Sequence, residues 1–299
     1  MKLIKIQKIW DQAPHNAFTD LIRFQDRWFC VFRESAAHVA PDGALRVISS
    51  SDATHWESAS LISSATSDLR DGKLSISPDN QLMLSGAEVV YEETKRIVQS
   101  LTWFSKDGRS WTKEHKVGDL NFWLWRATWH EGVAYSIGYH CGGDYSVTLY
   151  SSKDGINFSV LVDRLFDEGI PTEASLIFHQ GTAYCLLRRE RGNGLLGLAH
   201  FPYTQWEWKD LGTRIGGPHL IATPNGRLLA AVRLYDEPVR TSLGWLDPHT
   251  GHFTEELILP SGGDTSYPGL VWYEDHLWVS YYSSHEGKTA IYLAKVKIS

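Results

Sequence analysis

Leu270-Val271-Trp272-Tyr273-Glu274-Asp275-His276-Leu277-Trp278-Val279-Ser280-Tyr281 is an apolar run, a tight turn and a second apolar run, the pattern of a β-hairpin. The device recurs five times upstream, with turn residues Asp26, Asn80, Gly132, Gly181 and Gly226. Including Asp275, successive turns lie 54, 52, 49, 45 and 49 residues apart, which is one blade-sized unit copied around an axis. From Asp275 to Ser299 and on from Met1 to Asp26 is a further 50 residues, so the ring closes on itself. Each unit is too small to bury its own apolar faces, and packing between two neighbours suffices only if the row has no ends.

Six copies of about four strands predict an all-β, six-bladed β-propeller. Leu21 to Phe24 with Trp28 to Phe32, and Ser175 to Phe178 with Ala183 to Leu187, read as further hairpins. The last blade lacks an outer strand after Ile291 to Ile298. Lys2 to Ile9, apolar on alternate residues, can supply it from the other terminus and close the ring. The even repeat argues for one domain over residues 1–299, with no Pro/Ser/Gly tract or charge block to mark a linker.

Composition agrees. The chain has 42% apolar and 12% aromatic residues, with thirteen tryptophans to fill wide blade faces. A net charge of −6 gives no electrostatic case for nucleic acid, and no stretch reaches the 18 apolar residues of a membrane-spanning helix. Cys30, Cys141 and Cys185 are odd in number and read as small apolar fillers rather than a disulfide framework. The N-terminus alternates like a strand and lacks a long apolar segment with a cleavage site, which predicts a cytoplasmic location. No histidine or cysteine spacing signals a metal, and no P-loop or dinucleotide fingerprint signals a cofactor.

In a propeller the start of each innermost strand and the end of the second strand share one face. Innermost-strand entries, six to nine residues before each turn, are Asp20, Asp71, Arg126, Glu173, His219 and Tyr267, with Arg70 beside Asp71. Counting seven past each turn gives Arg33, Ala87, Tyr139, Arg188, Arg233 and Tyr282. Three arginines at one repeat position, with guanidinium forks suited to planar carboxylates, point to an anionic ligand. Solvated strand ends are the ordinary alternative for any one of them.

Three turns carry a second signature: Ser50-Ser51-Asp52-Ala53-Thr54-His55-Trp56, Ser105-Lys106-Asp107-Gly108-Arg109-Ser110-Trp111 and Ser152-Lys153-Asp154-Gly155-Ile156-Asn157-Phe158. They resemble the Asp-boxes of the sialidase superfamily, one residue shorter than the commonest spacing. An Asp accepting turn N–H groups, a Gly free to take positive φ and an aromatic plug explain the elements physically. With the mouth residues, the resemblance covers nearly the whole chain and implies a sialidase-type glycosidase acting on a terminal acidic sugar.

In that family a Tyr at the entry to the last blade and a Glu at the entry to the fourth form the reacting pair. Ser266-Tyr267-Pro268-Gly269-Leu270 and Thr172-Glu173-Ala174-Ser175-Leu176 occupy those places. A neutral phenol deprotonated by Glu approaches an anionic sugar without the repulsion a carboxylate nucleophile would meet. The resemblance thus implies Tyr267 as nucleophile, Glu173 as base and a proton donor in the loop Glu34 to Leu45, where His38 and Asp42 are candidates, although Pro41-Asp42-Gly43 also reads as a β-turn; by repeat position Asp71 is the other candidate donor. Arg33, Arg126, Arg188 and Arg233 would hold the anion, and Trp123, Trp125 and Tyr139 could stack on sugar faces.

The sequence departs from the family at two arginine positions, where Ala17-Phe18-Thr19-Asp20-Leu21 and Gly216-Gly217-Pro218-His219-Leu220 stand. A rebuilt cluster would suit another acid, such as a uronate or a sulfated sugar. Two rival readings use the same parts. A lyase would pair an arginine-neutralised uronate with His219 or His38 as base and Tyr267 as acid or base. A non-catalytic carbohydrate or peptide binder would hold the anion without turnover.

Overall fold

The computed structural model describes residues 1–93 and 95–298. Six four-stranded antiparallel sheets make up the fold, with no helix among the described residues. Their innermost strands are His15–Phe24, Asp68–Ile76, Phe122–His130, Pro171–His179, Ile215–Ala222 and Thr265–Tyr273. Each touches the innermost strands of both neighbouring blades, and blade 6 meets blade 1. The six-bladed β-propeller is therefore as the repeat predicted. All six turn residues read from the sequence have positive φ, from 57° to 81°. Asn and Asp take this conformation more readily than most non-glycine residues, which accounts for the turn chemistry.

Closure follows the expected route. Lys2–Trp10 pairs antiparallel with Ala290–Lys297 and completes the sixth sheet in the order Lys2–Trp10, Ala290–Lys297, His276–Ser283, Thr265–Tyr273. Apolar clusters lie between blades, as in the group uniting Trp28, Cys30, Phe32, Trp123, Trp125, Tyr267 and Tyr282. Cys30 and Cys185 are fully buried free thiols.

The three Ser-x-Asp turns lie between the third and fourth strands of blades 1 to 3. In each, one carboxylate oxygen accepts two turn N–H groups: Asp52 from Thr54 and His55, Asp107 from Arg109 and Ser110, Asp154 from Ile156 and Asn157. Gly108 takes φ +70°, and a Cβ there would lie 2.2 Å from the ring of Phe29 in blade 1, so the turn also seats one blade against the next.

One irregularity repeats in all six blades. Every innermost strand carries a β-bulge at its entry, where two residues face one on the partner: Phe18-Thr19, Asp71-Gly72, Trp125-Arg126, Thr172-Glu173, Gly217-Pro218 and Tyr267-Pro268. The first bulged residue has positive φ at Phe18 (63°), Asp71 (52°), Gly217 (51°) and Tyr267 (50°). A bulge of this kind re-aims side chains that a regular strand would bury between sheets.

Candidate active site

The bulges bring Tyr267 and Glu173 together from blades 6 and 4. The Tyr267 hydroxyl donates a short hydrogen bond to Glu173 Oε1. Arg188 Nη1 donates to the same oxygen at 2.7 Å and lies 3.3 Å from the phenol oxygen, while the Gly217 N–H donates to Glu173 Oε2 at 2.9 Å. Tyr267 and Glu173 are 7% and 5% exposed, so both are largely withdrawn from water.

Burial by itself would raise the Glu173 pKa; the Arg188 charge and the three hydrogen bonds outweigh it and hold the carboxyl below its usual value. Burial, and then the Glu173 charge, push the Tyr267 phenol well above its usual value, against the lowering effect of Arg188 and Arg233. The resting pair is therefore a neutral phenol donating to an ionised carboxylate.

Gly217 fits here for two reasons. Its φ is left-handed, and a Cβ would lie 2.8 Å from Cδ2 of Tyr267. The ring of Tyr267 packs edge-on to Phe18 at 5.0 Å and to Trp125 at 5.9 Å.

Asp71 occupies the equivalent bulge of blade 2. Its Oδ2 accepts from Trp125 Nε1 at 3.3 Å, and its Oδ1 is buried without a partner. Burial raises its pKa, the Glu173 charge adds to this, and Arg70 and Lys73 oppose it. A partly desolvated carboxyl with an unspent oxygen is suited to carry a proton.

Lys73 was not singled out from sequence. Only 1% exposed, it donates from Nζ to Thr19 O at 2.8 Å, and the same atom lies 4.8 Å from the Trp125 ring centre and 5.7 Å from that of Tyr267. Burial, and then the Arg126 charge, bring its pKa down to about 8. His219 Nδ1 donates to Pro268 O at 3.0 Å. Burial, then Arg126, pull its pKa down to about 3, so the ring is neutral.

Several expected ligand contacts are corrected by strand register. Arg33, Arg188 and Arg233 do not share one position. Arg33 and Arg233 pair with Ala17 and Gly216 just before their bulges, as Arg189 does with Pro171; Arg188 faces the bulge itself. In blade 4 the residue seven past the turn faces the bulge, whereas in blades 1 and 5 it is the residue six past, and this turns Arg188 toward Glu173.

Arg33 instead reaches into blade 2. Fully buried, it binds Asp68 Oδ1 at 2.7 Å and carbonyls of Ala37 and Ala40, so it is an interblade clasp with no access to a ligand. Asp20 is likewise fully buried, gripped by Arg126 through two bonds of 3.0 and 3.1 Å and by the Leu74 N–H. Tyr282 is fully buried, donating to Asp264 Oδ1 at 2.6 Å. Trp123 and Trp125 are buried too, with Trp123 stacked on the half-buried Tyr139 at 5.8 Å. None of Arg33, Asp20, Tyr282, Trp123 and Trp125 presents a face to a sugar.

Arg233 and Arg70 each keep an unspent terminal nitrogen. Arg233 uses Nε and Nη2 on Thr265 O and Tyr282 Oη, and Arg70 uses Nη1 on Asp68 and Tyr91. Arg233 Nη1 and Arg70 Nη2 have no partner among the described residues. The Arg70 guanidinium lies 5.2 Å from the Phe18 ring centre and that of Arg233 5.5 Å from the Tyr267 ring centre. They thus flank the adjoining Phe18 and Tyr267 rings.

His38 is half-exposed in the loop after Arg27–Ser35, with Nδ1 2.7 Å from Asp264 Oδ2. It packs edge-on to Phe18 at 5.1 Å, which places it beside the Tyr267 group. Asp42 accepts the Ala36 N–H, consistent with a turn-forming role.

No family model and no curated protein sequence matches the chain. Solved structures do. A Dyadobacter fermentans protein described as of unknown function superposes with a TM-score of 0.87 at 16% identity, over 100% of this chain and 99% of that one. A Penicillium chrysogenum α-L-arabinanase complexed with arabinobiose gives 0.74 at 12%, over 98% of each chain. Trypanosoma rangeli sialidase in complex with the inhibitor DANA gives 0.70 at 13%, over 95% of this chain and 55% of the sialidase. At these identities the likeness shows the fold: a six-bladed propeller of the kind that sialidases and arabinanases share.

Proposed function

We propose that this chain is a glycoside hydrolase that removes a terminal acidic sugar, with Tyr267 as nucleophile, Glu173 as its base and Asp71 as proton donor. The single observation carrying the proposal is the Tyr267 hydroxyl bonded to a buried, ionised Glu173 that Arg188 and the Gly217 N–H hold in place. A phenol bonded to an ionised carboxylate is the arrangement that activates a tyrosine nucleophile by an adjacent base. The superposed sialidase and arabinanase support a saccharide substrate by analogy of fold.

In the first step the phenol oxygen attacks the anomeric carbon as its proton passes to Glu173, and Asp71 gives its proton to the departing oxygen. Water then attacks the same carbon with Asp71 as base, the carbon–phenol bond breaks, and Tyr267 recovers its proton from Glu173. Arg188 stays beside the pair throughout and opposes loss of the Glu173 charge before the phenol reacts. Arg70, beside the Phe18 ring, and Arg233, beside that of Tyr267, would grip the sugar's acidic group.

Incubation with a panel of α-sialosides and uronides, read by released sugar, tests the proposal. A 2,3-difluoro acidic sugar should add its glycosyl mass to the peptide containing Tyr267. Products that absorb in the near ultraviolet would signify elimination, and binding by calorimetry with no product would signify a lectin-like protein; either outcome removes the hydrolase reading.

A further inference from the structure

His15, His38 and Asp264 come from the first strand of blade 1, the loop beyond its second strand and the entry to blade 6. Their ligand-capable atoms converge within 4.8 Å of one another. Both imidazoles address one oxygen: His38 Nδ1 is 2.7 Å and His15 Nε2 3.0 Å from Asp264 Oδ2. We propose that this cluster is a zinc site, with His15 Nε2, His38 Nδ1 and Asp264 Oδ2 as ligands and a fourth position open to water or a substrate oxygen.

Donor chemistry selects the metal. Two imidazoles and one carboxylate suit zinc, whereas calcium and magnesium favour sites built from oxygen. Tetrahedral zinc with bonds of about 2.0–2.2 Å sets its ligand atoms about 3.3 Å apart, so the two contacts to Oδ2 need open by only a few tenths of an ångström.

The surroundings already orient the set. Asp264 Oδ1, the oxygen facing away from the imidazoles, accepts from Tyr282 at 2.6 Å, and the Asp264 N–H is bonded to Ser284. The nearest cation, Arg233, is on that same far oxygen at 3.6 Å. Phe18 lies edge-on to His38 at 5.1 Å and the two imidazoles are edge-on to each other at 5.5 Å, which fixes both rings by packing. His15 is buried and its Nδ1 has no partner, so with an ion on Nε2 the ring proton sits on Nδ1. His38 is half-exposed, which gives an ion an entry path.

Binding requires loss of the N–H protons facing Oδ2, with no change of oxidation state. This site borders the Tyr267 group through Phe18 and Tyr282, yet its existence does not depend on the hydrolase reading.

The test is calorimetry of the full chain, stripped with chelator, against Zn²⁺ alone, with Co²⁺ as an absorbing substitute. One equivalent should bind, Co²⁺ should give visible bands of a four-coordinate site, and His15→Ala and His38→Ala should each weaken binding by more than about 100-fold, beyond the loss of an outer-shell partner. His38→Ala removes a half-exposed loop side chain, so its melting temperature should stay near that of the parent. No stoichiometric binding, or equal binding by His38→Ala, overturns the proposal.

Discussion

Tyr267→Phe separates chemistry from packing because it deletes one atom from a ring whose contacts all survive. The ring keeps Phe18 at 5.0 Å, Trp125 at 5.9 Å and Tyr282 at 6.0 Å. What disappears is a hydrogen bond to a charged acceptor, a loss of about 2 kcal/mol. Glu173 is not orphaned, since Arg188 and the Gly217 N–H still occupy its two oxygens. The expected fall in melting temperature is therefore only a few degrees. Catalysis should suffer more: loss of a nucleophile exceeds the 10²–10⁴ of a lost acid–base, so kcat should fall by about 10³ or more, at least about 4 kcal/mol. The assay is steady-state release from the best acidic glycoside of the panel, with circular dichroism melting alongside. Turnover within about tenfold of the parent would refute the nucleophile assignment, because no other group of the cluster is a neutral hydroxyl bonded to Glu173.

Activity should be bell-shaped in pH. It falls on the acid side as Glu173 protonates through a pKa held below its usual value, and on the basic side as Asp71 ionises through one raised by burial. Asp71→Asn should remove the basic limb and slow poor leaving groups far more than activated aryl ones; an unchanged profile would exclude Asp71 as the donor. Arg70→Met and Arg233→Met should raise KM for acidic substrates by more than tenfold, whereas Arg33→Met should show itself in stability, at about 3 kcal/mol, by leaving the buried Asp68 Oδ1 without a partner while Arg70 and Tyr91 keep Oδ2. A KM effect of Arg33→Met equal to the others, with no shift in melting, would contradict the register argument. Gly217→Ala sets a methyl against the Tyr267 ring and a side chain on a left-handed φ, so it should cost kcat at least tenfold with a modest loss of stability; a variant as active as the parent would count against the described packing of that bulge.

Architecture was legible because turns and apolar alternation are local. Asp26, Asn80 and Asp275 announce their conformation by residue type, and the alternation of Lys2 to Ile9 announces an edge strand needing a partner. The Tyr267 and Glu173 pair was reachable because both lie eight residues before a turn, so a count along the chain stood in for geometry. The same count misled for the arginines. Blade 4 pairs Ala174 with Leu187, six past its turn, while blade 1 pairs Asp20 with Val31, five past its own. That one-residue difference flips a side chain to the other face of the sheet, and nothing local in the sequence records it. Lys73 and Asp264 were missed for a related reason. What matters about them is supplied from another blade: the Thr19 carbonyl for one, His15 and His38 for the other.

The bulges explain how a fold built from six similar sheets makes one asymmetric site. The bulge of blade 6, with φ of 103° at Ser266 and 50° at Tyr267, sets where that ring lies, and its hydroxyl meets Glu173 of blade 4. Such non-glycine conformations cost about 1–3 kcal/mol each and persist only where neighbours over-determine them. Here the neighbours are other blades. Thr19 Oγ1 donates to Tyr267 O at 2.8 Å from blade 1, and His219 Nδ1 donates to Pro268 O at 3.0 Å from blade 5. The Gly269 N–H is tied to Ser280 Oγ, which also meets Thr19 Oγ1 at 2.9 Å. Thr19 in turn presents its carbonyl to Lys73 of blade 2, beneath the same aromatic rings. The position of the phenol is thus a property of the closed ring, because blades 1 and 5, on either side of blade 6, both hold its bulge. A blade excised from this propeller would keep its hairpins and lose the geometry that brings Tyr267 to Glu173.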